Sequence, residues 1–327
     1  MLPANNYTDF PNGVTSFGIP LFGSGKVVTS AFGRTWFVNA NSTNYGTGSP
    51  QAIPAGNDAN SGTSPTSPFL TMARAFAVAG SGDVINFIGK IQEQLVAPVQ
   101  VFDVLINGCG NRPRHADATP AGGAYSAAQW AAPAAGTAAQ ATLRLLQQGW
   151  RLQNFLMTAI DANAACVEVV RNAGAGDLER DASHASFLGM RFSGAGVGIR
   201  GGVAGTFTEI PYNVEVGWSQ FDNMTYAMRA AIACNQWYIH DNVFAPNTNQ
   251  IIMPLQNSLI RNNSIGPFTA GGNPGGIDLN GGAGLNQITG NNLSGTYSNA
   301  GGYRAANAND NWYGNLSSAG LTSADPA

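Results

Sequence analysis

The carboxylates Glu215, Asp222 and Asp241, with His240 and Arg261 close by, are the residue types that cleave sugar polymers. Two carboxyls roughly 5–10 Å apart serve as acid and base, or acid and nucleophile, across a glycosidic bond. An arginine beside them can clamp an anionic substrate. A lyase would instead need a calcium site and a base. The competing reading makes all five residues turn and surface groups that bond their neighbours. The chain favours that second reading. It has only 18 acidic residues, and no segment gathers the Asp cluster that holds calcium. We therefore expect no catalytic residue, no metal ligand and no cofactor, and leave ligand-binding residues unassigned. Asp58, Asn60 and Gly62 have the look of a calcium loop but lack its distal glutamate, so an Asx-type turn is expected there. Trp218, Trp237, Tyr238, Trp312 and Tyr313 have rings that stack on sugars, yet alternation along strands sends most of them to the core or to a subunit contact. The Gly-rich runs at 194–198, 271–272 and 281–282 lack the Lys-Ser/Thr ending of a phosphate loop and read as tight corners.

What positions these residues is a repeat. Two large apolar residues stand five apart in Trp150/Phe155, Phe187/Phe192, Val216/Phe221, Ile239/Phe244, Ile260/Ile265 and Ile288/Leu293, at steps of 21 to 37 residues. A period of that size means one unit stacked on copies of itself. Each unit holds short strand-like runs split by Asn and Gly, without a helical stripe, so the fold class is all-β, a right-handed parallel β-helix. Asn154, Asn242, Asn263 and Asn291, with Asn292 beside it, recur just before the second anchor. An Asn at a stacked corner bonds the backbone and the Asn above and below, and it tolerates left-handed backbone angles. Six to eight coils would give a rod on the order of 35 Å long.

Ahead of the repeat, residues 1–35 form an irregular, Pro- and Gly-punctuated arm with one extended run from Thr15 to Phe22. Such an arm anchors the subunit or packs on a neighbour. Residues 36–315 form the β-helix. Within it, Ser67 as N-cap and Pro68 at the first helical position predict a helix over Pro68–Ala79, with Phe69, Met72, Ala73 and Phe76 on one stripe. A helix there would cap the open first coil. An Ala/Gly-rich excursion is expected at 110–141, with a short helix near Ser126 to Ala132, and residues 316–327 read as a loosely held tail.

Composition narrows the partners. Charged residues are 10% of the 327, Lys26 and Lys90 are the only lysines, and the net charge is −3. Nucleic-acid binding needs clustered Lys and Arg, which this chain lacks. No apolar run is long enough to cross a membrane, and the N-terminus lacks the charged and apolar regions of an export leader. Cys109, Cys166 and Cys234 are far apart and odd in number, as expected of small buried thiols in a reducing compartment.

Two stretches carry a resemblance. Gly56-Asn57-Asp58-Ala59-Asn60-Ser61-Gly62, Pro68-Phe69-Leu70-Thr71 and Gly82-Asp83-Val84-Ile85 resemble the opening of pectate-lyase-like β-helix proteins. Phe10-Pro11-Asn12-Gly13-Val14-Thr15, Gly18-Ile19-Pro20-Leu21 and Gly25-Lys26-Val27, with Gly149 to Asn154 further on, resemble uncharacterised structural proteins of tailed phages. The likeness spans most of the chain and implies a non-enzymatic virion protein, projecting from the particle as a head decoration or spike. It carries over no catalytic residue. The implied partners are further copies of the chain in a homotrimer and other virion proteins such as a major capsid protein. The alternative is a tailspike or tail-fibre protein that binds or cleaves a host surface polysaccharide. The implied location is the virion, assembled in the bacterial cytoplasm.

Overall fold

The computed structural model describes residues 33–41, 44, 53–109, 128–172, 180–202, 211–230, 232–269 and 275–326, and two short strands near the N-terminus. The chain is a parallel β-helix. Three sheets run its length, of 10, 10 and 8 strands. Each coil visits sheet 1, then sheet 2, then sheet 3. All neighbours in these sheets pair in parallel except the last pair of sheet 2, Leu316–Ser317 with Gly320–Leu321. Among the described residues eight coils have a strand in every sheet, from Val84–Ile88 to Tyr303–Arg304. Nine strand steps of about 4.8 Å make sheet 1 roughly 43 Å long, longer than the sequence led us to expect.

The spacing of five has a simple origin. In Ile239-His240-Asp241-Asn242-Val243-Phe244, Ile239 points inward from sheet 1 and Phe244 inward from sheet 2. Asp241 between them has φ +53, the left-handed turn that bends the chain from one sheet to the next. The same corner recurs at Asn154, Gly189, Trp218, Asn262, Gly290 and Gly314, all with positive φ. In-register stacking then builds continuous inner columns. Sheet 1 contributes Trp36, Ile85, Ile106, Leu152, Phe187, Val216, Ile239, Ile260, Ile288 and Trp312, each nearly or fully buried. Phe192, Phe221 and Phe244 stack ring on ring in sheet 2, with centroids 4.8 and 4.9 Å apart.

Five of the six anchor pairs are in register; the first is not. Leu152, not Trp150, pairs with Phe187, and Met157, not Phe155, pairs with Phe192. Trp150 and Phe155 are buried too, just outside the columns, where their bulk hides the true phase.

The asparagine ladder follows the corner by one residue. Asn242 Nδ2 donates to Asn263 Oδ1 (3.0 Å), Asn263 to Asn291 (2.9 Å), and Asn291 to Asn315 (2.8 Å). Each Oδ1 also accepts the backbone N–H of the residue one coil back. Asn154 is not a rung, because it occupies the left-handed corner itself and is exposed. Asn292 is exposed in sheet 2. A second ladder stands at the corner before sheet 1, where Asn286 Nδ2 donates to Asp310 Oδ1 (2.8 Å) and Ser258 N to Asn286 Oδ1 (3.0 Å).

The helix, α1, spans Met72–Val78 rather than 68–79. Its N-cap is Thr71, whose hydroxyl accepts from Arg74 N at 3.1 Å. Two long-range claims on the backbone shorten it. Phe69 pairs with sheet 1, exchanging bonds with Phe37 and Asn39 (2.9 Å each), and Asp58 Oδ1 accepts from Leu70 N and Thr71 N (2.9 Å each). Phe69 is thereby held in a parallel bridge with Val38, outside the helix. Asp58 thus clamps the helix start, and the Asx turn belongs to Asn57, which accepts from Ala59 N at 2.9 Å. Met72, Ala75 and Phe76 are buried while Ala73 is exposed, and Phe76 meets Trp130 and Trp150 edge to face. In chain order α1 lies where later coils carry strands of sheets 2 and 3.

At the N-terminus, Val14–Ser16 and Ile19–Phe22 pair antiparallel instead of forming one run. The rest of the arm, up to residue 32, lies outside the described residues, as do residues 110–127 of the expected excursion. Gln129–Ala131 is a strand of sheet 2 and not part of a helix, because Trp130 fills the inner column between Ile91 and Met157. At the C-terminus the chain is held rather than loose: Thr322 Oγ1 accepts from Asn315 Nδ2 (3.1 Å) at the end of the ladder, and Tyr297 OH donates to Ala324 O (2.7 Å).

Candidate functional site

The outer face of sheet 1 brings together four of the five residues singled out in the sequence. Glu215, Tyr238 and Leu259 form one outward row, and Gly217, His240 and Arg261 the next. Trp218 and Asp241 are the adjoining corner residues. His240 lies between two carboxylates, with Nδ1 2.8 Å from Asp241 Oδ2 and Nε2 3.1 Å from Glu215 Oε1. A neutral imidazole has one N–H and donates to only one of them; the doubly protonated ring serves both. Tyr238 stacks on the imidazole at 4.0 Å, Trp218 meets it edge-on at 4.8 Å, and Arg261 lies over the Tyr238 ring at 5.0 Å. Gly217 makes this possible: a Cβ there would come within 2.5 Å of the His240 ring.

His240 is buried, so both of its nitrogens are occupied by protein. Glu215 and Asp241 are about a third exposed, and each has one oxygen without a hydrogen-bond partner. The patch can accept hydrogen bonds from a ligand and offer it aromatic surface. Proton transfer by His240 would first require breaking one of its two carboxylate contacts.

Asp222 is elsewhere. It follows an inward anchor of sheet 2, whereas His240 follows one of sheet 1, and the corner between the sheets separates them. Asp222 is gripped by Arg191, whose Nε donates to Oδ1 at 3.1 Å and Nη2 to Oδ2 at 2.7 Å; Ser193 Oγ adds a bond of 3.3 Å. This is a bidentate buried ion pair, structural in character.

The aromatic candidates divide. Trp237 and Trp312 are core; Trp237 donates its indole N–H to Pro211 O at 3.1 Å. Tyr238 is half-buried under Arg261, and Trp218 and Tyr313 are exposed at 58% and 45%. Cys166 and Cys234 are buried and Cys109 half-buried; burial pushes all three thiols up, away from the reactive thiolate. Among the described residues no group of three or more His, Cys, Asp or Glu is arranged for a metal ion.

A second charged array lies on the outer face of sheet 3 and was not anticipated. Arg144, Glu168, Arg200 and Arg229 stack in register on consecutive coils, with Asp278 two coils and Arg304 three coils further on. Glu168 is fully buried between two arginines, accepting from Arg144 Nε at 2.7 Å and from Arg200 Nη1 at 2.9 Å. Arg304 holds Asp278 with both prongs, at 2.8 and 2.6 Å. Arg229 is exposed and lies over Tyr226 at 4.5 Å. The signal was present in the sequence: Leu143-Arg144-Leu145, Val167-Glu168-Val169, Ile199-Arg200-Gly201 and Met228-Arg229-Ala230 each set a charge between inward positions, one coil after another.

No protein-family model matches the chain, and no curated protein matches it in sequence. Solved structures similar to it include the pectate lyase Pel9A, at 12% identity over 82% of this chain and 72% of that one, TM-score 0.39. A rhamnogalacturonan lyase is similar at 12% identity over 80% and 74%, TM-score 0.35. A GH136 lacto-N-biosidase from Eubacterium ramulus follows at 8% over 87% and 64%, TM-score 0.29. Likenesses this distant say nothing about activity; the fold stands on the strand pairing itself.

Proposed function

We propose that this chain is a non-enzymatic structural protein of a tailed-phage virion, a rigid rod that projects from the particle as a head decoration or spike. The observation that carries this reading is that the candidate catalytic side chains are already engaged. His240 has both nitrogens on carboxylates, and Asp222 has both oxygens on Arg191. The sequence resemblance at Phe10 to Val27 points the same way. So does a column in which ladders and ion pairs tie coil to coil, as suits a passive spacer. Homotrimer formation is part of the proposal: Leu285, Leu316 and Leu321 on the last coils keep large apolar side chains in solvent, as surfaces that meet a partner do.

Labelling purified particles with an antibody against the chain and imaging them by electron microscopy tests the location. Label over the head at regular copy number is expected; particles without label would remove the reading. Sedimentation at micromolar concentration tests the assembly, with a trimer expected and a stable monomer counting against it.

A second reading is a tailspike or tail-fibre protein that meets a host surface polysaccharide. One observation favours it: Trp218 exposes most of its ring beside carboxylates with unused oxygens.

A further inference from the structure

Among the described residues, seven of the eight left-handed corners between sheets 1 and 2 are Asn, Asp or Gly: Gly89, Asn154, Gly189, Asp241, Asn262, Gly290 and Gly314. Those residues adopt this backbone at little cost. The eighth is Trp218, with φ +51 and 58% of its surface exposed. A bulky aromatic pays a steric penalty there and buries little in return. Its surroundings are not random surface. Trp218, His240, Tyr238 and Arg261 touch in sequence, ring against ring and guanidinium on ring, across three coils. Glu215 and Asp241 flank the row, each tied to His240 by one oxygen and free at the other.

We propose that this patch is a saccharide-binding site. Trp218 is the stacking platform, and the free oxygens of Glu215 and Asp241 accept hydrogen bonds from ring hydroxyls. The inference deepens the second reading above and rests on its premise that the rod meets a glycan. The ligand class follows from the chemistry. Aromatic faces take the C–H face of a pyranose, and fixed acceptors take its hydroxyls. Two carboxylates disfavour a uronate or a sialic acid, so the preferred sugar is uncharged. Coils about 4.8 Å apart set neighbouring groups at the scale of one sugar ring. The site is separate from the arginine row of sheet 3, where Glu168 and Asp278 have both oxygens on arginine.

The test uses the full chain on an array of neutral oligosaccharides (gluco-, galacto-, manno-, rhamno- and N-acetylglucosamine oligomers), with oligogalacturonate as the charged control. The key variant is Trp218→Asn, which installs the residue that Asn154 and Asn262 already supply at equivalent corners and so leaves folding intact. We expect the wild type to bind at least one neutral series, and the variant to bind it at least ten-fold more weakly, with circular dichroism unchanged. Glu215→Gln should weaken binding less than Trp218→Asn. Neutral binding that survives Trp218→Asn would overturn this site while keeping the glycan reading. A wild type that binds no neutral oligomer, or prefers oligogalacturonate, overturns the inference; binding to none of the probes counts against the glycan reading as well.

Discussion

The outer faces of sheets 1 and 3 bear similar residue types and use them differently. On sheet 3 each carboxylate is closed off: Glu168 has one arginine on each oxygen, and Asp278 takes both prongs of Arg304. The pairs run across coils, so the charges act as rivets along the rod. On sheet 1 the carboxylates share one imidazole, keep an oxygen each, and stand beside an exposed indole. Stoichiometry separates the two faces. Where donors match acceptors the row is structure; where acceptors are left over, something outside the protein can complete them.

The largest effect should come from breaking the closed face. Glu168→Ala removes the buried carboxylate that the partly exposed Arg144 and Arg200 share, and losing its two charge-assisted hydrogen bonds costs about 3–5 kcal/mol. Guanidinium unfolding should register that loss, whereas Glu215→Ala, at a part-exposed carboxylate, should cost about 1 kcal/mol or less. Equal losses would erase the distinction between the faces.

The ladder gives the next effect. Asn263→Ala takes the side-chain acceptor away from the Asn242 backbone N–H and from Asn242 Nδ2 in the interior, for about 2–3 kcal/mol. Asn154→Gly, at an exposed corner, keeps the left-handed backbone, loses a bond of 3.2 Å to Asn107 and should fall well below that figure in the same urea titration.

That contrast also marks what could be read from the sequence. The coil repeat was legible because its anchors are large and five apart, and five is what one left-handed corner between two inward residues requires. Its phase at the first coil was not, since Trp150 and Phe155 are as apolar as the Leu152 and Met157 that lie in register. His240, Asp241, Glu215 and Arg261 were correctly drawn together. Asp222 was wrongly added, because residues that follow an anchor look alike on both sheets while a corner turns them to different faces. The helix start was misplaced for a different reason: Asp58 and Phe37 reach Pro68 to Thr71 from a distance that no local signal records.

A smaller effect concerns α1 and pH. Glu93 accepts from Met72 N at 2.9 Å and Ala73 N at 2.8 Å, at the start of the helix. Burial pushes its carboxyl above the ordinary value of 4.5, outweighing those two donors, which pull it down; Asp58 nearby adds to the rise. The folded state therefore holds this proton more tightly than the unfolded one. Its contribution is full below the ordinary value and is lost as pH rises through the raised one. Thermal unfolding followed from pH 4 to pH 7 should thus show the wild type losing stability relative to Glu93→Gln as pH increases. The opposite slope would mean that the helix N–H groups dominate.

The smallest effect sharpens the comparison most. Trp218→Asn removes a left-handed tryptophan, a relief of about 1–2 kcal/mol. It also removes the edge contact with His240, worth about 0.5–1.5 kcal/mol. The two nearly cancel, so the midpoint of unfolding should shift by no more than a few degrees, in either direction. A tryptophan that served the core, as Trp237 does, would instead cost about 3–5 kcal/mol on truncation. A stability loss of that size at Trp218 would make sheet 1 a structural face like sheet 3. A near-zero shift leaves an exposed aromatic ring that the fold does not need, at the one described left-handed corner of eight that departs from Asn, Asp and Gly.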